Sequence, residues 1–284
     1  MKTKQLEFER VYDAPIERVW KALTDKDHMK AWYFDIADFR PEPGFEFSFT
    51  GGKDDEPFVH HCRVVEVNPP NKLSYTWTYE GYPGQSLVTF ELDEPTPRKT
   101  RLTLTHRDID TFPAGNDSFA PSSFSEGWNF ILGESLRNFV ETASFERSEA
   151  IKASLNEVWE VLLNPNGHWG NAFGGGALVQ ETGWKEGSQV IWTDLEGNPG
   201  ANGVVTTYKD RETLEFSYYD DPEPEPEASL GEYIERFKLR TVEDGRTLLT
   251  IEIDGLGKMY QSMHAEMWEK ALRMIKDKAE KHAN

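Results

Sequence analysis

The sequence predicts two tandem α+β domains, each an antiparallel sheet closed by a long C-terminal helix. Three observations carry this reading. A phrase is written twice, APIERVWKALTD at 14–25 and ASLNEVWEVLLN at 153–164, with a Val-Trp pair at Val19–Trp20 and again at Val158–Trp159. The same succession of strand and helix patterns follows each copy. A helix-period apolar stripe then ends each half. A period of about half the chain is far too long for a solenoid and marks a duplicated domain. The boundaries drawn are 1–142 and 143–284, and each half is long enough to bury its own core.

In the first half, residues 6–12 alternate like a strand. Pro15 sits at a helix start, where its missing N–H costs nothing. Val19, Trp20 and Leu23 share one face of that helix, and 27–32 forms a second short one. Strands are expected at 45–49, 62–67, 73–79, 87–92 and 101–106. Pro43-Gly44, Pro69-Pro70-Asn71, Gly81 and Gly84 supply turns between them. A loop at 111–125 leads into a final helix at 125–142.

The second half opens with a strand at 145–151 and a helix at 155–163, stopped by Asn164-Pro165-Asn166-Gly167. Strands follow at 177–181, 188–193, 203–208, 213–219, 233–241 and 247–253. The closing helix spans 260–281. Met263, Met267, Leu272 and Ile275 make its stripe, with Trp268 beside them.

Composition narrows the function classes. The net charge of −19 is shared by both halves and opposes binding to nucleic acid or to anionic membrane surfaces. One cysteine, Cys62, excludes an internal disulfide and suits a reducing cytoplasm. The opening MKTKQLEFER has no apolar run of the signal-peptide kind, and no segment is apolar for long enough to insert in a bilayer. A soluble, cytoplasmic protein is expected. His60-His61-Cys62 is a poor metal site, because adjacent strand residues point to opposite faces. Gly174-Gly175-Gly176 follows a helix rather than opening one, so it does not cradle phosphate. No cofactor is expected. The acidic, proline-stiffened run at 220–227 reads as a solvated connection between strands.

The phrases APIERVWKALTD, Trp32, PEPG, RVVEVNPPNKLSYTW, LVTFELDE, TRLTLTH and EGWNFILGESLRNFVE occur in one order over about residues 5–142. In that order they resemble the START-like, Bet v 1-like (SRPBCC) superfamily, and within it the family of activators of the heat-shock protein ninety ATPase. EVWEVL, KEGS, GVVTTYKDRETLEFSYY, TLLTIEI and the Trp268–Leu272 spacing mark the second half as a diverged copy, with Trp169 or Phe173 in the place of Trp32. The resemblance implies a helix-grip fold, a curved sheet wrapped around the last helix, and a hydrophobic cavity in each domain.

Strand alternation then selects inward residues. In the first domain these are Phe47, Tyr75, Trp77, Phe90 and His106, facing Trp128 and Leu132 from the last helix, with Trp32 closing one end. In the second they are Phe216, Tyr233 and Glu235, with Trp268 opposite. Most are ordinary core positions; those near a cavity mouth would bind a ligand. His106 is read as a satisfied core or rim histidine that could bond a ligand carbonyl, and Arg10 as the partner of a carboxylate. Glu235 needs a hydrogen-bond partner or a raised pKa, or else a strand-end position in water.

Three functions follow. The first is binding of a small hydrophobic or amphipathic molecule between helix and sheet, without catalysis. The second, implied by the resemblance alone, is stimulation of a heat-shock chaperone ATPase, with the chaperone as partner. The third is a cyclase or hydrolase using His106 or Glu235.

Overall fold

The computed structural model describes residues 5–53, 56–179, 183–194, 196–221, 223–242 and 245–282. The chain forms two compact units, the first ending at Thr142 and the second starting at Ala143.

In the first unit, strand β1 (Gln5–Tyr12) is followed by helices α1 (Ile16–Thr24) and α2 (Lys26–Trp32). Strands β2 (Glu46–Lys53), β3 (Glu56–Asn68), β4 (Lys72–Tyr79), β5 (Ser86–Thr96) and β6 (Lys99–Arg107) come next. The sheet order is β1-β6-β5-β4-β3-β2, with every neighbour antiparallel. Alternation decides its inner face: along β6, Thr100, Leu102, Leu104 and His106 are buried and the residues between them are not. Asp25 separates the two helices and caps the second, its carboxylate accepting from the Asp27 and His28 amides at 3.0 Å each.

The gripping helix of this unit is α3 (Pro121–Phe130), a wider π turn over Ile131–Ser135, and α4 (Leu136–Val140), running on in helical backbone. Such a turn leaves a carbonyl without its usual partner. The Tyr12 hydroxyl donates to the carbonyl of Leu132 at 2.9 Å, tying the helix to β1.

Two sequence expectations need correcting here. The helix begins at Pro121 rather than 125, because proline at its first position needs no partner for its nitrogen. It stops at Val140, where Glu141 turns extended and Thr142 already starts the next strand. The stretch expected as a loop is organised by 3-10 turns at Ile109–Thr111 and Asp117–Phe119, and by burial of Phe112, Phe119 and Phe124.

The second unit repeats the plan. Strand β7 (Thr142–Ile151) precedes α5 (Leu155–Leu162), whose start carries a reciprocal cap between Ser154 and Glu157. A 3-10 turn at Trp169–Phe173 leads to β8 (Gly175–Val179), β9 (Gln189–Asp194), β10 (Pro199–Lys209), β11 (Thr213–Tyr219), β12 (Leu230–Thr241) and β13 (Thr247–Gly257). The sheet order is β7-β13-β12-β11-β10-β9-β8. Of the strand expected at 177–181, Gln180 and Glu181 lie outside the described residues, as does Pro222 of the acidic connection.

Helix α6 (Gln261–His282) grips this sheet through Trp268, Ala271, Leu272, Ile275 and Ala279. Of the stripe expected, Trp268, Leu272 and Ile275 are buried and Met267 is half-buried, whereas Met263 is 46% exposed and Ala271 and Ala279 complete the buried face. Small alanines, not methionines, let the helix approach the sheet.

The doubled phrase corresponds to doubled contacts. The Trp32 indole donates to the Ala22 carbonyl at 2.9 Å, and Trp169 donates to Val161 and Leu162 at 3.1 and 3.2 Å. The Thr100 hydroxyl donates to the Ala14 carbonyl at 2.8 Å, and Thr247 does the same to Ala153 at 2.8 Å. Both units are therefore helix-grip domains of one design, in an α+β chain.

Candidate functional site

A cavity of about 320 Å³ lies in the second unit, between α6 and the concave face of β9–β12. That volume is at the lower end of the range of small-molecule pockets, about 300–1,000 Å³. Its floor is aromatic. Trp169 and Trp268 face each other with ring centroids 5.7 Å apart, Phe173 meets Trp268 edge-on at 4.6 Å, and Trp192 lies 5.6 Å from Trp169. Exposed Asp194, Asn198, Pro199, Gly200 and Met263 ring the mouth.

Into this apolar floor the sheet places one carboxyl group. Glu235 pairs with Phe216 on β11 and with Ile253 on β13, so period-two alternation sets it between Tyr233 and Phe237 on the inner face. It is only 5% exposed. The Tyr218 hydroxyl donates to Oε2 at 2.7 Å, and the Tyr233 hydroxyl donates to Oε1. The tyrosine rings stack, 4.7 Å apart and 20° from parallel.

The cluster extends in both directions. Trp192 Nε1 donates to the Tyr218 oxygen at 2.9 Å, and His264 Nδ1 lies 3.5 Å from the Tyr233 hydroxyl. Burial raises the Glu235 carboxyl above its ordinary range, against the opposing effect of the Tyr233 and Tyr218 hydroxyl donors. Burial likewise lowers His264, keeping the imidazole neutral, and lifts both tyrosines. The Trp268 indole N–H is buried and meets no acceptor at hydrogen-bonding geometry.

Of the second-domain residues selected from the sequence, Tyr233, Glu235 and Trp268 meet at this cavity. Phe216 does not line it; it packs one layer deeper, against Phe237 and Tyr218. Sequence reasoning placed Tyr218 in the inward period-two series through Leu214 and Phe216, and set Trp169 or Phe173 in the place of Trp32, without selecting them as site residues. It missed Trp192 and His264. Trp192 and His264 become partners only when β9 and α6 converge.

In the first unit the corresponding residues pack against one another. Trp32, Phe47, Tyr75, Trp77, Phe90, Trp128 and Leu132 are at most 7% exposed. Trp77 lies 5.4 Å from Phe49 and 5.7 Å from Trp128, and Phe90 lies 6.1 Å from Trp128. Tyr33 enters from α2's end and joins Tyr75 hydroxyl to hydroxyl at 3.1 Å. His106 is fully buried, bonded to the Ser86 hydroxyl at 2.7 Å, and accepts from Trp128 Nε1 at 3.1 Å. Burial pushes its pKa down to about 3, so it is a neutral core group. Arg10 meets the Asn129 amide oxygen at 2.6 Å, not the carboxylate expected. His60 is buried and His61 exposed, as alternation requires, and no metal-binding cluster occurs among the described residues.

Parts of this chain are similar to known proteins. Residues 13–141 match the family model described as Activator of Hsp90 ATPase homolog 1-like protein, which covers nearly the whole first unit. The first unit is thus similar to that family over residues 13–141, and the two units share the helix-grip topology described above. Among solved structures, the Bacillus halodurans protein BH1534 is similar at 28% identity, covering 50% of this chain and 100% of its own, with a TM-score of 0.40. DynU16, from the dynemicin biosynthetic locus, is similar at 16% identity over 99% of both chains, with a TM-score of 0.40. The di-domain ARO/CYC protein StfQ of the steffimycin pathway aligns at 10% identity over 98% of this chain and 99% of its own, with a TM-score of 0.39. A search of curated proteins gives no match. Among the described residues, no helix is long and apolar enough to cross a membrane.

Proposed function

We propose that the second unit binds a small hydrophobic or amphipathic molecule in the cavity between α6 and the sheet. Its apolar body would lie on Trp169, Phe173 and Trp268, and its polar group would meet the Tyr218–Glu235–Tyr233 cluster. One observation carries this reading: a buried carboxyl group held by two tyrosines lines a cavity that Trp169, Phe173, Trp192 and Trp268 also line. A carboxyl group costs free energy to bury unless it is hydrogen-bonded, and this one stands at the wall of a cavity with its two donors beside it. Removing apolar ligand surface from water supplies the drive, about 25 cal/mol per Å² before the costs of association.

The test uses N-phenyl-1-naphthylamine, a neutral fluorophore that brightens in apolar surroundings. Its emission rises to saturation with the wild-type protein and stays low with Ala201→Phe, which fills the cavity. No rise, or an equal rise in the variant, contradicts the reading.

A second reading is catalysis of the cyclase or hydrolase type. It is favoured by the Glu235 carboxyl, raised by burial and linked through Tyr233 toward His264, as an acid–base group requires. Glu235→Gln would abolish such turnover while retaining fluorophore binding. Stimulation of a chaperone ATPase rests on the family description of the first unit. An ATPase assay with the purified chaperone decides it.

A further inference from the structure

Among the described residues the Glu235 carboxyl pairs with no lysine or arginine. The next residue, Arg236, faces the opposite side of the sheet, where Glu215 and Glu252 hold its guanidinium at 2.5 and 2.8 Å. The cavity lining contains Glu235 and Asp194 but, among the described residues, no lysine or arginine. Its one basic side chain, His264, is kept neutral by burial. Each Glu235 oxygen accepts one tyrosine hydroxyl and so retains capacity for a further donor. The rings of Trp169, Phe173, Trp192 and Trp268 stand around the same space.

Aromatic faces carry negative potential and attract cations, most strongly where water is excluded. A carboxylate among such faces, paired with no lysine or arginine among the described residues, matches the charge of a protonated amine and opposes that of an acid. The net charge of −19 draws cations toward the mouth as well.

We propose that the ligand of this cavity is an aromatic or aliphatic amine, bound as its ammonium ion to Glu235 and enclosed by the surrounding rings. This rests on the binding function proposed above and names its ligand class. The ammonium donates to Glu235 while its hydrocarbon part covers Trp268 and Phe173. The two tyrosines hold the carboxylate in place.

The experiment is displacement of N-phenyl-1-naphthylamine at pH 7 by three compounds of one shape: phenethylammonium, 2-phenylethanol and phenylacetate. Phenethylammonium displaces the fluorophore at concentrations about tenfold lower than 2-phenylethanol, and phenylacetate is the weakest. In Glu235→Gln the ammonium and the alcohol become equal. If the wild-type protein binds the fluorophore but does not prefer the ammonium, the amine assignment is overturned and the binding cavity stands. If the fluorophore itself does not bind, both fall. Should Glu235→Gln fail to fold, the order of the three compounds on the wild-type protein still decides.

Discussion

Glu235 faces Ile253 across β12 and β13, at the register position that Val88 and His106 hold across β5 and β6. Each unit therefore puts one polar residue in the same cross-strand pair, but on opposite members. In the first unit the polar member, His106, accepts from the gripping helix through Trp128. In the second, the matching indole of Trp268 lacks an acceptor, and the carboxyl turns to two tyrosines. One framework yields a packed core around a hydrogen-bonded histidine and an aromatic cavity with a carboxyl group set into it.

Trp128→Phe will destabilise the chain more than Trp268→Phe. The first change strands the buried His106 acceptor, at a cost of about 1–3 kcal/mol, whereas the second removes an N–H that has no partner. Urea unfolding of each variant measures the difference; equal losses would contradict it.

Glu235 makes stability fall as pH rises. Its carboxyl is raised by burial in the folded chain, so above the ordinary carboxylate range the folded state binds more protons than the unfolded one. Its contribution is complete below a pH of about 4.5 and is lost as pH rises through the folded value. Glu235→Gln will remove that part of the slope in urea titrations run from pH 4.5 upward.

His106 and His60 act in the opposite sense. Burial depresses them to about 3 and about 4, from an ordinary 6.5. Below pH 6.5 the unfolded chain takes up protons that the folded one refuses. Stability they support is complete above pH 6.5 and is lost as pH falls toward 3. His106→Gln will flatten the acid limb of a stability–pH curve; an unchanged slope would show that the histidine does not titrate as described.

Thr100→Val and Thr247→Val will each cost about 1 kcal/mol, since each removes one buried hydroxyl donor to the alanine carbonyl before a helix. Thermal unfolding that separates the two units would show matching losses, one in each. A cost confined to one variant would mean that the doubled phrase is not doubled structure.

Much of this was legible in the sequence. The doubled Val-Trp phrase and the strand–helix order are local signals, and the inner-face series followed from alternation alone. Glu235 in register with Tyr233 and Phe237 could be read this way, with its need for partners. The identity of those partners could not. Tyr218 reaches Glu235 across strands, while Trp192 and His264 arrive from β9 and α6, so only tertiary packing joins them. The early start of α3 was hidden because 111–125 reads as loop until Phe112, Phe119 and Phe124 find a common apolar surface. On α6, Trp268, Leu272 and Ile275 are legible in the helical period, whereas Ala271 and Ala279 carry less hydrophobic signal than Met263 and Met267, yet close helix–sheet approach favours the smaller side chain.

The most direct measurement is a crystal structure of the full chain grown with N-phenyl-1-naphthylamine. The account predicts the fluorophore between α6 and the inner face of β9–β12, its rings on Trp268 and Phe173 and its N–H toward Glu235. Density for it in the first unit or on the outer surface, with the second-unit cavity closed by its own side chains, would contradict the account.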